Sequence, residues 1–221
     1  MKLRYRMPLA VAILSIGATA VAASSIVVDY QETSVFGTPN LSSSVTIASP
    51  FYNGNTAAGP FRLTGDNGFG DFDAFCIDLA HHMANGQTYT VSGASSYGAV
   101  VDNYIDRLFN SAYASLSTAV QGAAFQVALW EIITDTGATS GYDLGLGDFT
   151  ATASNAAVIS QATSYLAGLT GASTGGYTLT FLASPNSQDL VTVSAVPVPA
   201  AFGMLGLGLA GLFGLRRRKK A

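Results

Sequence analysis

The stretch STAVQGAAFQVALWEIITD, residues 117–135, decides how the rest of the chain is read. It has the length and periodicity of a helix, and Thr118 followed three residues later by Gln121 matches a capping box. Asp135, Thr136 and Gly137 would end it. On a wheel of about 100° per residue, Gln126 falls at the centre of a face made by Ala119, Gly122, Ala123, Leu129, Trp130 and Ile133. Burying a carboxamide without partners costs of order 1–3 kcal/mol, so this side chain needs an explanation. It is either hydrogen-bonded to a strand edge or held dry for chemistry. Gly122 and Ala123 lower the wall beside it and let another backbone approach. Trp130, one turn on, can shield it from water. Glu131 lies across the helix and is given no catalytic role.

Two more helices are expected around this one. Residues 99–113 place Val100, Val101, Tyr104, Ile105, Leu108 and Phe109 at helical spacing, and residues 155–169 form a third helix that ends in a Gly-rich stretch. β-Branched runs at 25–30 and 45–49, a short segment at 60–65, and GYTLTFL and DLVTVSAV near the end read as strands. Residues 31–44 and 52–60 read as loops. Residues 72–80 read as a strand burying Phe75, Ile77 and Leu79, with 87–93 as its hairpin or meander partner. Strands, then helices, then strands indicate an α+β fold, a β-sandwich or barrel with an inserted helical segment.

The ends are different in kind. Lys2, Arg4 and Arg6 precede an apolar run and the small residues Val21, Ala22 and Ala23, the layout of a secretory signal peptide over 1–23, cut after Ala23 or Ala22. Residues 200–215 form an uninterrupted apolar run, about 24 Å as a helix, followed by Arg216, Arg217, Arg218, Lys219 and Lys220. The basic cluster would hold this transmembrane helix with its C-terminus in the cytoplasm and residues 24–195 outside. The organisation is thus a signal peptide (1–23), an ectodomain (24–195) and a C-terminal segment (196–221).

That export makes the lone cysteine informative. Cys76, in FDAFCIDLAHHM (72–83), is the single cysteine of the chain. In an oxidising compartment it cannot form an internal disulfide. It is a free thiol, an intermolecular bridge, or part of another covalent bond. One such bond is an internal thioester: a thiolate attacks a nearby glutamine carboxamide and expels ammonia. That needs a lone Cys, a buried Gln within reach and shielding from water. Cys76, Gln126 and Trp130 are the candidates.

These residues resemble the thioester domains of bacterial surface adhesins. Phe75-Cys76-Ile77 corresponds to their aromatic-Cys segment, and Phe125-Gln126-Val127-Ala128-Leu129-Trp130 to their Thr-Gln-x-Ala-apolar-Trp run, with Phe125 in place of Thr. The resemblance covers roughly residues 70–135 and implies a Cys76–Gln126 thioester supported by Phe75, Ala128 and Trp130. Such a bond captures a partner covalently through an amine or hydroxyl, and because it is used once the protein is not expected to be an enzyme. The C-terminal segment resembles the PEP-CTERM sorting signals in their VPxPA form. The motif is Val196-Pro197-Val198-Pro199-Ala200, with Val198 where Glu is common, and the basic stop is Arg216, Arg217 and Arg218. This implies a Gram-negative host, an exosortase-like processing enzyme, transient anchoring in the inner membrane, and extracellular polysaccharide or neighbouring cells as the target class.

Charge narrows the partners further. All 13 acidic residues lie between Asp29 and Asp189, and Arg62 and Arg107 are the basic residues of that region, which leaves a net charge of −11. Such a surface repels nucleic acid and anionic lipid. No cofactor or metal is expected. His81 and His82 follow Cys76, but no further ligands stand at zinc-like spacing. His81 is a candidate proton carrier for thioester attack. A Cys–His hydrolase lacks an orienting partner in the sequence. Asp66, Asp71, Asp73 and Asp78 lack EF-hand spacing and read as a solvated acidic loop. The expectation is therefore an exported surface or matrix protein acting in biofilm adhesion through a thioester. The alternative is a structural surface protein of the same fold without one.

Overall fold

The computed structural model describes residues 24–135 and 141–195. The expected signal peptide and the C-terminal segment from Val196 onward, with its proline motif, apolar run and basic stop, lie outside the described residues. Among the described residues no helix is long and apolar enough to cross a membrane.

The strands are β1 (Ser25–Tyr30), β2 (Ser43–Ala48), β3 (Asn53–Ala58), β4 (Phe61–Gly65), β5 (Gly70–Cys76), β6 (Gln87–Ser92), β7 (Thr150–Thr152), β8 (Tyr177–Ala183) and β9 (Leu190–Ala195). Among the described residues three α-helices stand between β6 and β8: α1 (Ala99–Ala112), α2 (Ala119–Thr134) and α3 (Ala156–Gly168). Six strands close a barrel in the order β1-β4-β5-β9-β8-β6, and β3-β2-β7 make a second, three-stranded sheet. All strand pairs are antiparallel. Closure removes sheet edges from the barrel. The fold is α+β, as the order of elements predicts.

Helix α2 positions everything else. It packs against α1 and α3, against β2 and β3, and against β5. Every residue from Gly122 to Ile133 is buried, so the helix has no polar face. A helix apolar on all sides belongs inside a core, not at a surface. Its buried Phe125, Leu129 and Ile132 each contribute roughly 1.5–3 kcal/mol of apolar transfer. Thr118 caps it by accepting from Gln121 N at 3.2 Å. The Gln121 side chain reaches back to Ser117 N at 3.1 Å, one residue beyond the usual box partner. Gly122 is where the second sheet's approach loop comes closest: a Cβ there would overlap the Leu41 carbonyl oxygen.

Several local expectations change. Residues 53–58 are a strand, not loop; Asn, Gly and Ala are poor strand formers, and pairing with all of β2 overrides them. The strand expected over 72–80 ends at Cys76, and both of its faces are buried from Ala74 onward. Its neighbours are β4 and β9, not 87–93, which instead pairs with β1 and β8 as β6. Closing the barrel brings the chain end between elements that sequence order would have joined.

Candidate thiol–carboxamide site

Cys76 is the last residue of β5. In the β5–β9 ladder Ile77 N donates to Asp189 O at 2.9 Å. The Cys76 N–H and carbonyl therefore face the other way, toward β4. But β4 starts at Phe61, opposite Ala74, and is preceded by Pro60, which has no N–H. No strand residue completes the ladder at Cys76. Gln126 does so with its side chain. Cys76 N donates to Gln126 Oε1 at 3.0 Å, and Gln126 Nε2 donates to Cys76 O at 2.8 Å. Both residues are about 1% exposed. The carboxamide is thus a one-residue strand extension delivered by α2.

The aromatic rings beside the pair fix this contact. Phe75, before the cysteine, and Phe125, before the glutamine, have ring centroids 4.5 Å apart. Phe109 packs on both, at 5.7 and 4.9 Å. Phe125, which stands where the adhesin motif has Thr, is therefore part of a fully buried aromatic cluster. Ala128 is also buried.

The sulfur sits in a clasp made by one residue. Cys76 Sγ–H donates to Asp78 O at 2.9 Å, and Asp78 N donates back to Sγ at 3.3 Å. Burial pushes the thiol up to about 12, with the Asp78 backbone and Trp130 opposing only in part. The thiol is thus protonated at neutral pH and a weak nucleophile until its proton is removed. The Trp130 indole N–H is buried and has no hydrogen-bond partner of ordinary geometry. It lies near the sulfur and favours the thiolate slightly. Among the described residues the thiol is free of any disulfide.

Asp78 stands apart from the solvated acidic loop expected of it. Asp78 Oδ2 lies 2.6 Å from His81 Nδ1, with the Asp78 side chain 15% exposed and the His81 side chain 50%. Asp73 pairs with Arg62 at 3.6 Å, and Asp66, in the β4–β5 turn, ties that turn to β1 by accepting from Val27 N at 2.8 Å. The sequence places Asp78 two residues after Cys76 but does not show that its backbone holds the sulfur while its carboxylate binds His81. His82 turns elsewhere, edge-on to Tyr52 at 6.5 Å.

A second buried acid lies on the far side of α2. Glu131 accepts from Asp143 N at 2.8 Å through Oε1, while its buried Oε2 has no partner. Asp135, at the helix end, accepts from Asp148 N at 2.8 Å. Together they bind the 141–149 segment to α2. Burial raises Glu131 to about 7, against the single backbone bond that lowers it. A raised carboxyl binds more protons folded than unfolded, so its contribution favours the native state below its ordinary range and is lost as pH rises to about 7. Glu131→Gln should therefore flatten the stability–pH curve over that window, by up to about 3 kcal/mol. Chemical denaturation at several pH values measures this; an unchanged slope in the variant would contradict it.

A groove of about 400 Å³ lined by Val100, Tyr104, Tyr142, Leu166 and Leu169 shares no residue with the Cys76–Gln126 contact.

Comparison with known proteins bears on the part of the chain beyond the barrel. Residues 195–219 match the PEP-CTERM protein-sorting motif. The motif marks an exported cell-surface protein and implies processing by an exosortase-type enzyme. No curated protein matches the chain by sequence. Among solved structures, the N-terminal domain of the Streptococcus pyogenes pilus tip adhesin Cpa aligns with a TM-score of 0.41 and 16% identity, over 70% of this chain and 93% of that one. The N-terminal thioester domain of a surface protein from Clostridium perfringens aligns with a TM-score of 0.39 and 12% identity, over 70% of this chain and all of the other.

Proposed function

We propose that this exported protein attaches covalently to a partner through a Cys76–Gln126 thioester. The observation that carries the reading is the pairing of the Gln126 carboxamide with both backbone groups of the lone cysteine, in a site closed to water. The chemistry follows from that arrangement. The Cys76 sulfur adds to the Gln126 side-chain carbonyl carbon. The Cys76 N–H, already bonded to Oε1, stabilises the negative charge that develops on that oxygen. The S–H proton passes to the departing nitrogen, and ammonia leaves. A carbon–nitrogen bond is exchanged for a carbon–sulfur bond with no change of oxidation state.

Capture reverses the roles. An amine or hydroxyl on a partner adds to the same carbon, the carbon–sulfur bond breaks, and an amide or ester remains with a free Cys76 thiol. Each molecule reacts once, so the protein is a single-use linker and not a turnover enzyme. The sorting motif supports a setting at the cell envelope: a Gram-negative host, a transient inner-membrane anchor through residues 200–215, and polysaccharide or protein of the surrounding matrix as the target in biofilm adhesion.

The intact mass of the exported protein tests this. The wild type should weigh one ammonia less than its processed sequence, and Cys76→Ala should restore the full mass. A wild-type mass equal to the sequence would leave the second reading, a structural surface protein. That reading draws on the same hydrogen bonds, because a satisfied Gln126 amide and a protonated buried thiol also describe an inert core contact.

A further inference from the structure

Resting on the thioester reading, the site still lacks a group to move the nucleophile's proton. The acyl carbon is buried, while a partner's amine or hydroxyl arrives from solvent. When the carbon–sulfur bond breaks, the sulfur is left in surroundings that strongly disfavour the thiolate. A proton taken from the nucleophile must reach the sulfur.

We infer that His81, oriented by Asp78, is the base that accepts the nucleophile's proton during capture and supplies it to the departing Cys76 sulfur. Three features of the segment leaving β5 carry this. First, Asp78 is joined to both ends of the path: its backbone clasps the sulfur, and its carboxylate binds His81 Nδ1 at 2.6 Å. An ionised carboxylate only accepts, so Nδ1 carries the proton of that bond and Nε2 is left as an acceptor. The carboxylate is itself held, because Oδ1 accepts from Ala80 N at 2.7 Å.

Second, the segment is pinned along its length. Ile77 O accepts from Tyr97 Oη at 2.6 Å, Met83 O from Tyr30 Oη at 3.0 Å, and Ala84 N donates to Ser187 Oγ at 2.9 Å. A histidine on so constrained a segment is presented, not left to wander. Third, His81 is half-exposed and bonded to the residue whose backbone holds the buried sulfur, so it stands between solvent and the dry site. His82 has none of these contacts and faces Tyr52.

The step balances. The nucleophile adds to the acyl carbon and gives one proton to His81 Nε2. The carbon–sulfur bond then breaks, and His81 returns the proton to the sulfur. Thioester and nucleophile become acyl product and thiol, and His81 ends as it began. Asp78 is the positioning residue.

The test uses the exported protein and methylamine as the nucleophile. Intact mass first establishes the ammonia loss in the wild type, in His81→Ala and in His82→Ala; its absence from the wild type would defeat the thioester reading itself. With the bond formed in all three, His81→Ala should add methylamine about 10²-fold more slowly, and free imidazole should restore the rate. His82→Ala should react as the wild type does. Asp78→Asn, which keeps the backbone clasp, should react more slowly than wild type but faster than His81→Ala. Wild-type rates in His81→Ala, or slow rates that imidazole leaves unchanged, would overturn the assignment. So would loss of the ammonia signature in His81→Ala, which would put the histidine in bond formation or folding instead.

Discussion

Replacing Gln126 with Leu should abolish covalent capture and also leave the fold roughly 2–5 kcal/mol less stable than in Cys76→Ala, where the unreacted amide keeps both bonds to the strand backbone. The first effect needs no estimate, since the acyl carbon is gone. The second comes from the strand end. Leu cannot accept from Cys76 N or donate to Cys76 O, the two bonds now 3.0 and 2.8 Å long. Both backbone groups are turned away from β9 and have no strand opposite them. Each buried orphan costs about 1–3 kcal/mol, and a little is regained from burying a larger apolar group. Cys76→Ala makes the informative contrast, because it removes capture equally but leaves the backbone pairing intact. Denaturant unfolding of the two variants separates the roles of Gln126: a structural partner of β5 and an acyl donor. If Gln126→Leu proved as stable as Cys76→Ala, the strand-extension account would fail. Gln126→Glu adds a further check. It keeps an acceptor for Cys76 N but sets a carboxylate against Cys76 O, so it should regain stability as pH falls and the acid protonates.

Much of this arrangement was legible in the sequence, and the limits have physical causes. Helix α1 follows from a period of apolar residues that no strand would share, α2 from its length and capping residues, and Gln126 stood out because an amide is costly on an apolar face. Gly122 was readable as a close approach, which the Leu41 carbonyl now explains. What the sequence hides is pairing across the barrel. Nothing in residues 87–92 says that they meet Ser25–Val28 and Phe181–Ala183 and not β5. Strand β3 was unreadable because its residues have little strand preference of their own. The buried state of Glu131 was also hidden. An amphipathic wheel assigns a charged residue to solvent, whereas a helix enclosed on all sides has no solvent face to give it. Asp78 was grouped with Asp66, Asp71 and Asp73 by composition, and only the folded segment after Cys76 reveals that it holds both the sulfur and His81.

Phe125→Ala should be the most damaging core change near the site, costing about 3–5 kcal/mol. Phe125 is fully buried and touches Phe75, Phe109, Tyr113 and Tyr165, with centroids from 4.5 to 6.4 Å. Removing it leaves a cavity among rings that cannot all close inward, since Phe75 is tied to β5 and Phe109 to α1. The consequence for chemistry is more specific than lost stability. Phe75 and Phe125 immediately precede Cys76 and Gln126, so their tilted packing sets the distance between strand and helix at the Cys76–Gln126 contact. With that clamp gone, Cys76 and Gln126 should meet less often and the fraction of molecules lacking ammonia should fall even where the protein remains folded. Phe125→Leu, which keeps most of the volume, should lose less of both. Phe125→Thr restores the residue of the adhesin motif but not the ring. If packing governs the contact, it should behave like the Ala variant in stability and in ammonia loss, measured by denaturation and by intact mass. A Thr variant that formed the bond more completely than wild type would instead show that a hydroxyl beside Gln126 matters more than the aromatic clamp.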